Sequence, residues 1–213
     1  MEEFLQQHAQ DTDVFCFQEA DGPTEQVCKA ILREYRMLEG CKRLSAADDL
    51  HQMTFVRQSI AVSASALVLR DTPDTGLALY TCLQTETGVV HVYNVHGVSR
   101  PGDKLDSAGR LMQSRKLLES CSTCKGLKVV GGDFNLDPST QSVHLFTQAG
   151  YRNLLAEYHI ATTRNRFVWE RYPETKQLFS DYVFVNEELR VTEFKVPNVE
   201  VSDHLPMLLT FEC

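Results

Sequence analysis

The chain has 213 residues, 43% hydrophobic and 23% charged, with a formal net charge of −8 and a pI near 5.4. That composition is ordinary for a globular protein with one sizeable core, and its acidic balance argues against wrapping a nucleic-acid backbone by bulk electrostatics. No apolar run approaches the ~20 residues that span a bilayer, and the Met-Glu-Glu start lacks a basic signal-peptide region. A single cytoplasmic domain over residues 1–213, monomeric, is expected.

In chain order, Phe4-Leu5 with His8-Ala9 has helical spacing, and Val14 to Phe17 is a short buried-strand run. Thr24 is placed to cap a helix from about Glu25 to Leu38, with Val27, Ala30, Ile31 and Leu32 on one side. Met53 to Val56, Ala66 to Leu69, Leu77 to Leu83 and Val89 to Val95 read as strands, and Thr87-Gly88 as a hairpin turn. Ser107 is placed to cap a long helix carrying Leu111, Met112, Leu117 and Leu118, closed by Gly126. The strand Leu127 to Val130 follows, then a short helix near Val143 to Gln148. Tyr182 to Val185, Leu189 to Val196 and Met207 to Phe211 are the last expected strands. Hairpins mixed with helices predict an α/β sandwich, sheets face to face with helices outside.

The seven cysteines have no regular spacing, and Cys121 and Cys124 form a lone CxxC. A structural zinc site needs four ligands and no second pair stands near, so a reduced pair at a helix end is expected. Basic residues are absent before Lys29; they cluster from Arg100 to Lys128 and again at Arg164, Arg166, Arg171 and Lys176. Such clusters suit either the rim of a phosphate pocket or a solvated face.

The chemistry-bearing segments all follow apolar runs, where a rigid strand delivers its last side chain into a cleft. In Gly131-Gly132-Asp133-Phe134-Asn135, glycines permit a tight turn, and Asp133 and Asn135 share a side in extended geometry. A carboxylate beside an amide suits a phosphate site, one handling water and the other donating to a phosphoryl oxygen; an Asx-rich turn is the structural alternative. Gln18-Glu19 ends one strand with a hard-cation ligand. Asn94-Val95-His96 ends another, Asp181 opens a third, and Ser202-Asp203-His204 precedes the last. Each alone fits a satisfied polar strand end; together they fit metal-assisted phosphate chemistry.

Taken in order from residue 18 to 204, Gln18-Glu19, Asn94-Val95-His96, Gly132-Asp133-Phe134-Asn135, Ser180-Asp181-Tyr182-Val183-Phe184-Val185 and Ser202-Asp203-His204 resemble a known motif series. It is that of the endonuclease/exonuclease/phosphatase superfamily, which includes deoxyribonuclease I, neutral sphingomyelinases, inositol polyphosphate 5-phosphatases and tyrosyl-DNA phosphodiesterases. The resemblance implies a deoxyribonuclease I-like four-layer α/β sandwich, two mixed sheets packed face to face with helices outside. It implies a phosphoesterase, of phosphodiesterase or nuclease type, using Mg²⁺ or Mn²⁺. By the same resemblance Glu19 and Asp203 are metal ligands, helped by Asp133 and Asn135. Asp133 orients or deprotonates water, Asn135 fixes the phosphate, and His96 and His204 face it, with Asp181 holding His204. Asn94, Arg166 and Trp169 are the expected substrate contacts, Trp169 by stacking on a base. Only 17 residues precede Gln18, so the opening strand of the family, with its Asn, is expected to be missing. The competing readings are a phosphatase or phospholipase C-like enzyme on inositol phosphates or phospholipid head groups, and a catalytically impaired binding module.

Overall fold

The computed structural model describes residues 1–20, 22–45 and 48–213. Helix α1 (Glu2–His8) leads into strand β1 (Val14–Gln18), helix α2 (Gly22–Ile31), and strands β2 (Tyr35–Ser45) and β3 (Asp48–Arg57). Strands β4 (Ala61–Val68), β5 (Leu77–Gln84) and β6 (Val89–His96) follow, then helix α3 (Ala108–Ser122) and strand β7 (Leu127–Asp133). The last elements are α4 (Gln141–Gln148), β8 (Tyr151–Asn153), α5 (Leu154–Glu157), α6 (Arg166–Arg171), β9 (Asp181–Asn186), β10 (Arg190–Lys195) and β11 (Leu208–Glu212).

One sheet has six strands in the order β4-β5-β6-β7-β9-β8; opposite it stand β1-β3-β2 and the β10-β11 pair. Every pairing is antiparallel except β6 with β7, which α3 connects as a crossover. Outside the large sheet, Leu117 and Cys121 of α3 and Val143 and Phe146 of α4 pack with Tyr93, Val130 and Phe184. Outside the small sheet, Leu5 of α1 and Cys28 of α2 pack with Tyr35, Met53 and Phe55. Between the sheets lie Val56, Leu83, Val90 and Val92, with Val14 and Phe211 against them. The result is the expected four-layer α/β sandwich. Among the described residues no helix is long and apolar enough to cross a membrane.

The sequence reading differs from the structure most at residues 32–45. The helix expected from Glu25 to Leu38 runs instead from Gly22 to Ile31, and Tyr35 opens β2, a strand that local patterning does not announce. Tyr35 and Met37 pack under the helices while Leu38 points between the sheets. That alternation has the period of a strand, and the ladder from Tyr35↔Arg57 to Ser45↔Asp48 locks it in place. Long-range pairing therefore overrides local helix propensity. On α3, capped by Ser107 as expected, the buried face is Arg110, Gln113, Ser114, Leu117 and Cys121, and Met112 is exposed. All seven cysteines are free.

Two features fix close approaches behind the site, one between strands of one sheet and one between the sheets. Gly132 has φ +131°, and a Cβ there would lie 2.2 Å from the Val95 carbonyl oxygen of the parallel neighbour. Neither strand can yield, so Gly132→Ala is expected to destabilise the fold by about 3 kcal/mol. A denaturant melt measures this, and an unchanged midpoint would remove the argument. The second feature is Asn94, fully buried between the sheets. Its Nδ2 donates to Phe17 O (3.2 Å), Met53 O (3.0 Å) and Thr54 Oγ1 (3.3 Å), and its Oδ1 accepts from Gln18 Nε2 at 2.5 Å. Asn94, expected as a substrate contact, is thus an inter-sheet clamp whose amide has no face toward a ligand.

Candidate active site

Register places the chemistry. His96 on β6 pairs with Asp133 on β7, and Asp133 pairs with Asp181 on β9, so three polar side chains stand in one row across adjacent strands. The ladder continues past the strand ends: Gly97 N donates to Asp133 O (2.6 Å), and Phe134 N and Asn135 N donate to Ser180 O (2.9 and 3.1 Å). Phe134 anchors the turn in the core, edge-on to Phe146, Tyr182 and Phe184. Asn135 turns back with φ +54°, a left-handed conformation that Asn tolerates.

The segment carrying His204 is delivered by residues 163–165. Thr163 Oγ1 accepts from Ser180 N (3.2 Å) and Asp181 N (3.3 Å), and Thr163 O accepts from Leu205 N (2.8 Å). Arg164 bridges His204 through the backbone, and Asn165 Nδ2 donates to Ser202 O at 2.6 Å. Thus held, His204 Nδ1 donates to Asp181 Oδ1 and Oδ2 at 2.8 and 3.0 Å, while Nε2 lies 3.8 Å from Asp133 Oδ2. That second gap is too long for a hydrogen bond, so Nε2 keeps its proton available to a third oxygen.

Burial alone would push the His204 ring toward neutrality, but Asp181 and Asp133 overcome it and raise its pKa to about 9. His204 is therefore an imidazolium at neutral pH. For Asp133, burial acts upward, and His204, Lys104 and His96 more than reverse it, holding the carboxyl below its ordinary range. Its Oδ1 accepts from Ser180 Oγ (2.6 Å) and Asn135 N (2.8 Å), its Oδ2 from Asn135 Nδ2 (3.2 Å). Asp133 is thus a fixed negative charge, poorly suited to keep a proton. Ligand atoms of Asp133, Asp181 and His204 all lie within 4.8 Å of one another, so the trio is also a candidate acidic/His metal site.

Lys104 is the residue that sequence reasoning misses. It lies in the loop between β6 and α3, is buried, and donates from Nζ to Asn135 Oδ1 (2.7 Å) and Ser180 Oγ (2.9 Å). Burial lowers its pKa, an effect only partly offset by Asp133. The loop is gripped by the buried Arg110, whose guanidinium donates to Leu105 O (2.5 Å), Asp103 Oδ1 (3.0 Å) and Pro101 O. Nothing in the local sequence marks Lys104, because its partners lie 31 and 76 residues away. The Asn135 side-chain oxygen, expected to help hold a metal, accepts from the Lys104 ammonium with one of its two lone pairs.

Glu19 closes the opposite side. It follows β1 with φ +53°, its side chain is 78% exposed, and its Oε1 lies 3.7 Å from Nε2 of the buried His96. Asp203 is half exposed and paired with Arg164 at 3.1 Å. Arg166 and Trp169 both sit on α6, away from the row of strand ends in their bonding. Arg166 pairs with Glu200 at 2.5 Å, and Trp169 Nε1 donates to Gln177 O at 3.0 Å under the Lys176 ammonium. Both expected substrate contacts are thus engaged by neighbours of α6, Arg166 through an exposed pair and Trp169 through its indole N–H.

A family model described as the endonuclease/exonuclease/phosphatase family matches residues 1–204. The chain belongs to that family. Its members act on phosphate esters, as the family's name records, and this chain is a phosphoesterase in that general sense. Among solved structures it resembles an endonuclease/exonuclease/phosphatase from Bacteroides vulgatus, at 21% identity and TM-score 0.76, covering 99% of this chain and 88% of that one. A mannosyl-6-phosphatase from Bacteroides thetaiotaomicron has 19% identity and TM-score 0.75 over 100% and 89% of the two chains. The human Nocturnin catalytic domain with bound sulfate has 19% identity and TM-score 0.74 over 99% and 86%. Identities this low establish the shared fold of the endonuclease/exonuclease/phosphatase family and leave substrate open. No curated protein sequence matches.

Proposed function

We propose that this chain is a cytoplasmic, monomeric hydrolase of phosphate esters that requires Mg²⁺ or Mn²⁺. The reading rests on one observation above the others: at the ends of β7 and β9, Asp133 and Lys104, joined through Ser180, face the hydrogen-bonded Asp181–His204 pair, with His204 Nε2 3.8 Å from Asp133 Oδ2. A binding module has no need to force a carboxylate below its ordinary pKa and an imidazole above it in the same few ångströms.

The residues fit a hard divalent ion. Glu19 offers an exposed carboxylate at the rim, and the half-exposed Asp203 offers a second, which must also keep company with the buried Arg164 guanidinium. Bound there, the ion would neutralise phosphate charge and lower the pKa of water. On the other side the chain supplies its own fixed charges. Asp133 orients the attacking water through Oδ2. Asn135 and Lys104 fix Asp133 from beneath, Lys104 taking the place of a second ion. The His204 imidazolium donates from Nε2 to a phosphoryl oxygen as negative charge grows on it, and Asp181 keeps the ring charged and aimed. His96 stands beside Glu19, its Nδ1 without a partner among the described residues.

A phosphodiester of nuclease type is the leading substrate class. The alternative is a small phosphomonoester or a phospholipid or inositol phosphate head group. It is supported by the pairing of Arg166 with Glu200 and the internal use of the Trp169 indole N–H, which engage two groups that a polynucleotide would otherwise contact. Release of product from single-stranded DNA, abasic-site DNA, RNA, a phosphatidylinositol phosphate, sphingomyelin and a sugar phosphate, each with and without Mg²⁺, separates these. Metal-dependent turnover of a polynucleotide is expected; turnover of small esters alone would select the alternative, and none on any would favour a binding module.

A further inference from the structure

Away from the catalytic row, the outer face of the β2–β3 hairpin carries a second group of ligating side chains. Cys41 on β2 pairs directly with His51 on β3, and Arg43 pairs with Asp49, so Cys41, Asp49 and His51 project from one face of the ladder. All three are exposed, and one ligand atom from each lies within 4.8 Å of the others. The Cys41 Sγ to His51 Nε2 distance is 3.7 Å. A tetrahedral zinc ion with Zn–S of about 2.3 Å and Zn–N of about 2.0 Å sets those two ligands about 3.5 Å apart. A third and independent feature is Glu39, two residues before Cys41 on the same face, which lines one recess with Cys41, His51 and Glu25.

We propose that Cys41, His51 and Asp49 bind a zinc-class ion, with the fourth position open to water or Glu39. The donor chemistry distinguishes this site from the catalytic one: a thiolate and an imidazole select zinc over magnesium, whereas Glu19 and Asp203 offer only oxygen. A thiolate, a carboxylate and a neutral imidazole neutralise a divalent charge, and the Cys41 thiol releases its proton on binding. Asp49 is shared with Arg43, whose Nε and Nη2 lie 3.1 and 3.4 Å from its two oxygens. Arg43 can retain one oxygen while the ion takes the other, the arrangement in which an outer group orients a ligand. The site also touches the catalytic side through the backbone: Ala20 N, next to Glu19, donates to the carbonyl of His51 at 3.3 Å. An ion clamping the hairpin therefore steadies the turn that presents Glu19. The site itself does not depend on the phosphoesterase reading.

Cobalt is the probe. Titrating the reduced full chain with Co²⁺ is expected to produce one thiolate-to-cobalt charge-transfer band with tetrahedral ligand-field bands, at one ion per chain, bleached by an equivalent of Zn²⁺. Cys41→Ser abolishes the charge-transfer band, His51→Ala and Asp49→Asn weaken Co²⁺ binding by about tenfold or more, and Asp133→Asn leaves the signal unchanged. These positions are exposed, so circular dichroism of the variants is expected to match the parent. No charge-transfer band, or one that survives Cys41→Ser, overturns the proposal.

Discussion

Asp133→Asn is expected to lower turnover of the substrate ester by about a thousandfold or more while leaving the chain folded. Water orientation by a placed side chain is worth about 10²–10⁴ in rate, and Asp133 also holds a buried negative charge hydrogen-bonded to both partners of Lys104, Ser180 and Asn135. An asparagine keeps an oxygen for Ser180 Oγ and Asn135 N. Its amide group, however, turns a donor toward Asn135 Nδ2 and toward the His204 imidazolium. The buried Lys104 ammonium loses the carboxylate that most offsets its burial, and its pKa falls further. A stability loss of about 1–3 kcal/mol accompanies the change. Steady-state kinetics with a melting curve on the same sample check both parts. Parent-like turnover in a folded Asp133→Asn protein would exclude Asp133 from the chemistry.

The second large effect concerns His204. His204→Ala is expected to cost about 10²–10³ in turnover, the usual loss when one preorganised donor to a developing oxyanion is removed. The sharper experiment is Asp181→Asn, which keeps the imidazole and removes the carboxylate that charges it. In the parent, the folded pKa of about 9 stands above the ordinary 6.5. The ion pair therefore stabilises the fold fully below pH 6.5, and that contribution is lost as pH rises through about 9. The protonated donor disappears over the same range, so the basic limb of kcat/KM is expected near pH 9. In Asp181→Asn that limb moves to lower pH, and the deficit grows between pH 7 and 9. Superimposable pH profiles for parent and variant would show that Asp181 does not set the His204 charge.

What was legible in the sequence follows from what each signal depends on. Strand runs ending in Glu19, His96 and Asp133 were visible because apolar alternation and the polar terminus are local. The alignment of His96 and Asp133 with Asp181 in one row needs only the β6–β7–β9 register, whereas Glu19 reaches His96 from β1 of the other sheet. Strand β2 was not legible: Tyr35 to Leu38 continues an amphipathic helical pattern, and only the ten-pair ladder to β3 decides otherwise. Asn94 was visible as a polar strand residue, but its turn inward depends on Gln18, Phe17 and Met53 of a different sheet. Lys104 and Arg110 act through loop carbonyls and distant side chains, a role that composition and spacing do not encode. Arg166 and Asp203 carry charges that the fold pairs off, with Glu200 and Arg164.

Divalent-ion dependence tests the central claim most directly. Chelated, metal-free protein, assayed on a substrate that the parent turns over, is expected to lose activity to background and to regain it on addition of Mg²⁺ or Mn²⁺. Glu19→Gln is expected to require far more metal for the same rate, its melting temperature unchanged because the side chain is exposed. Full activity in the presence of excess chelator, with Glu19→Gln indistinguishable from the parent, would contradict a metal-dependent phosphoesterase built on these residues.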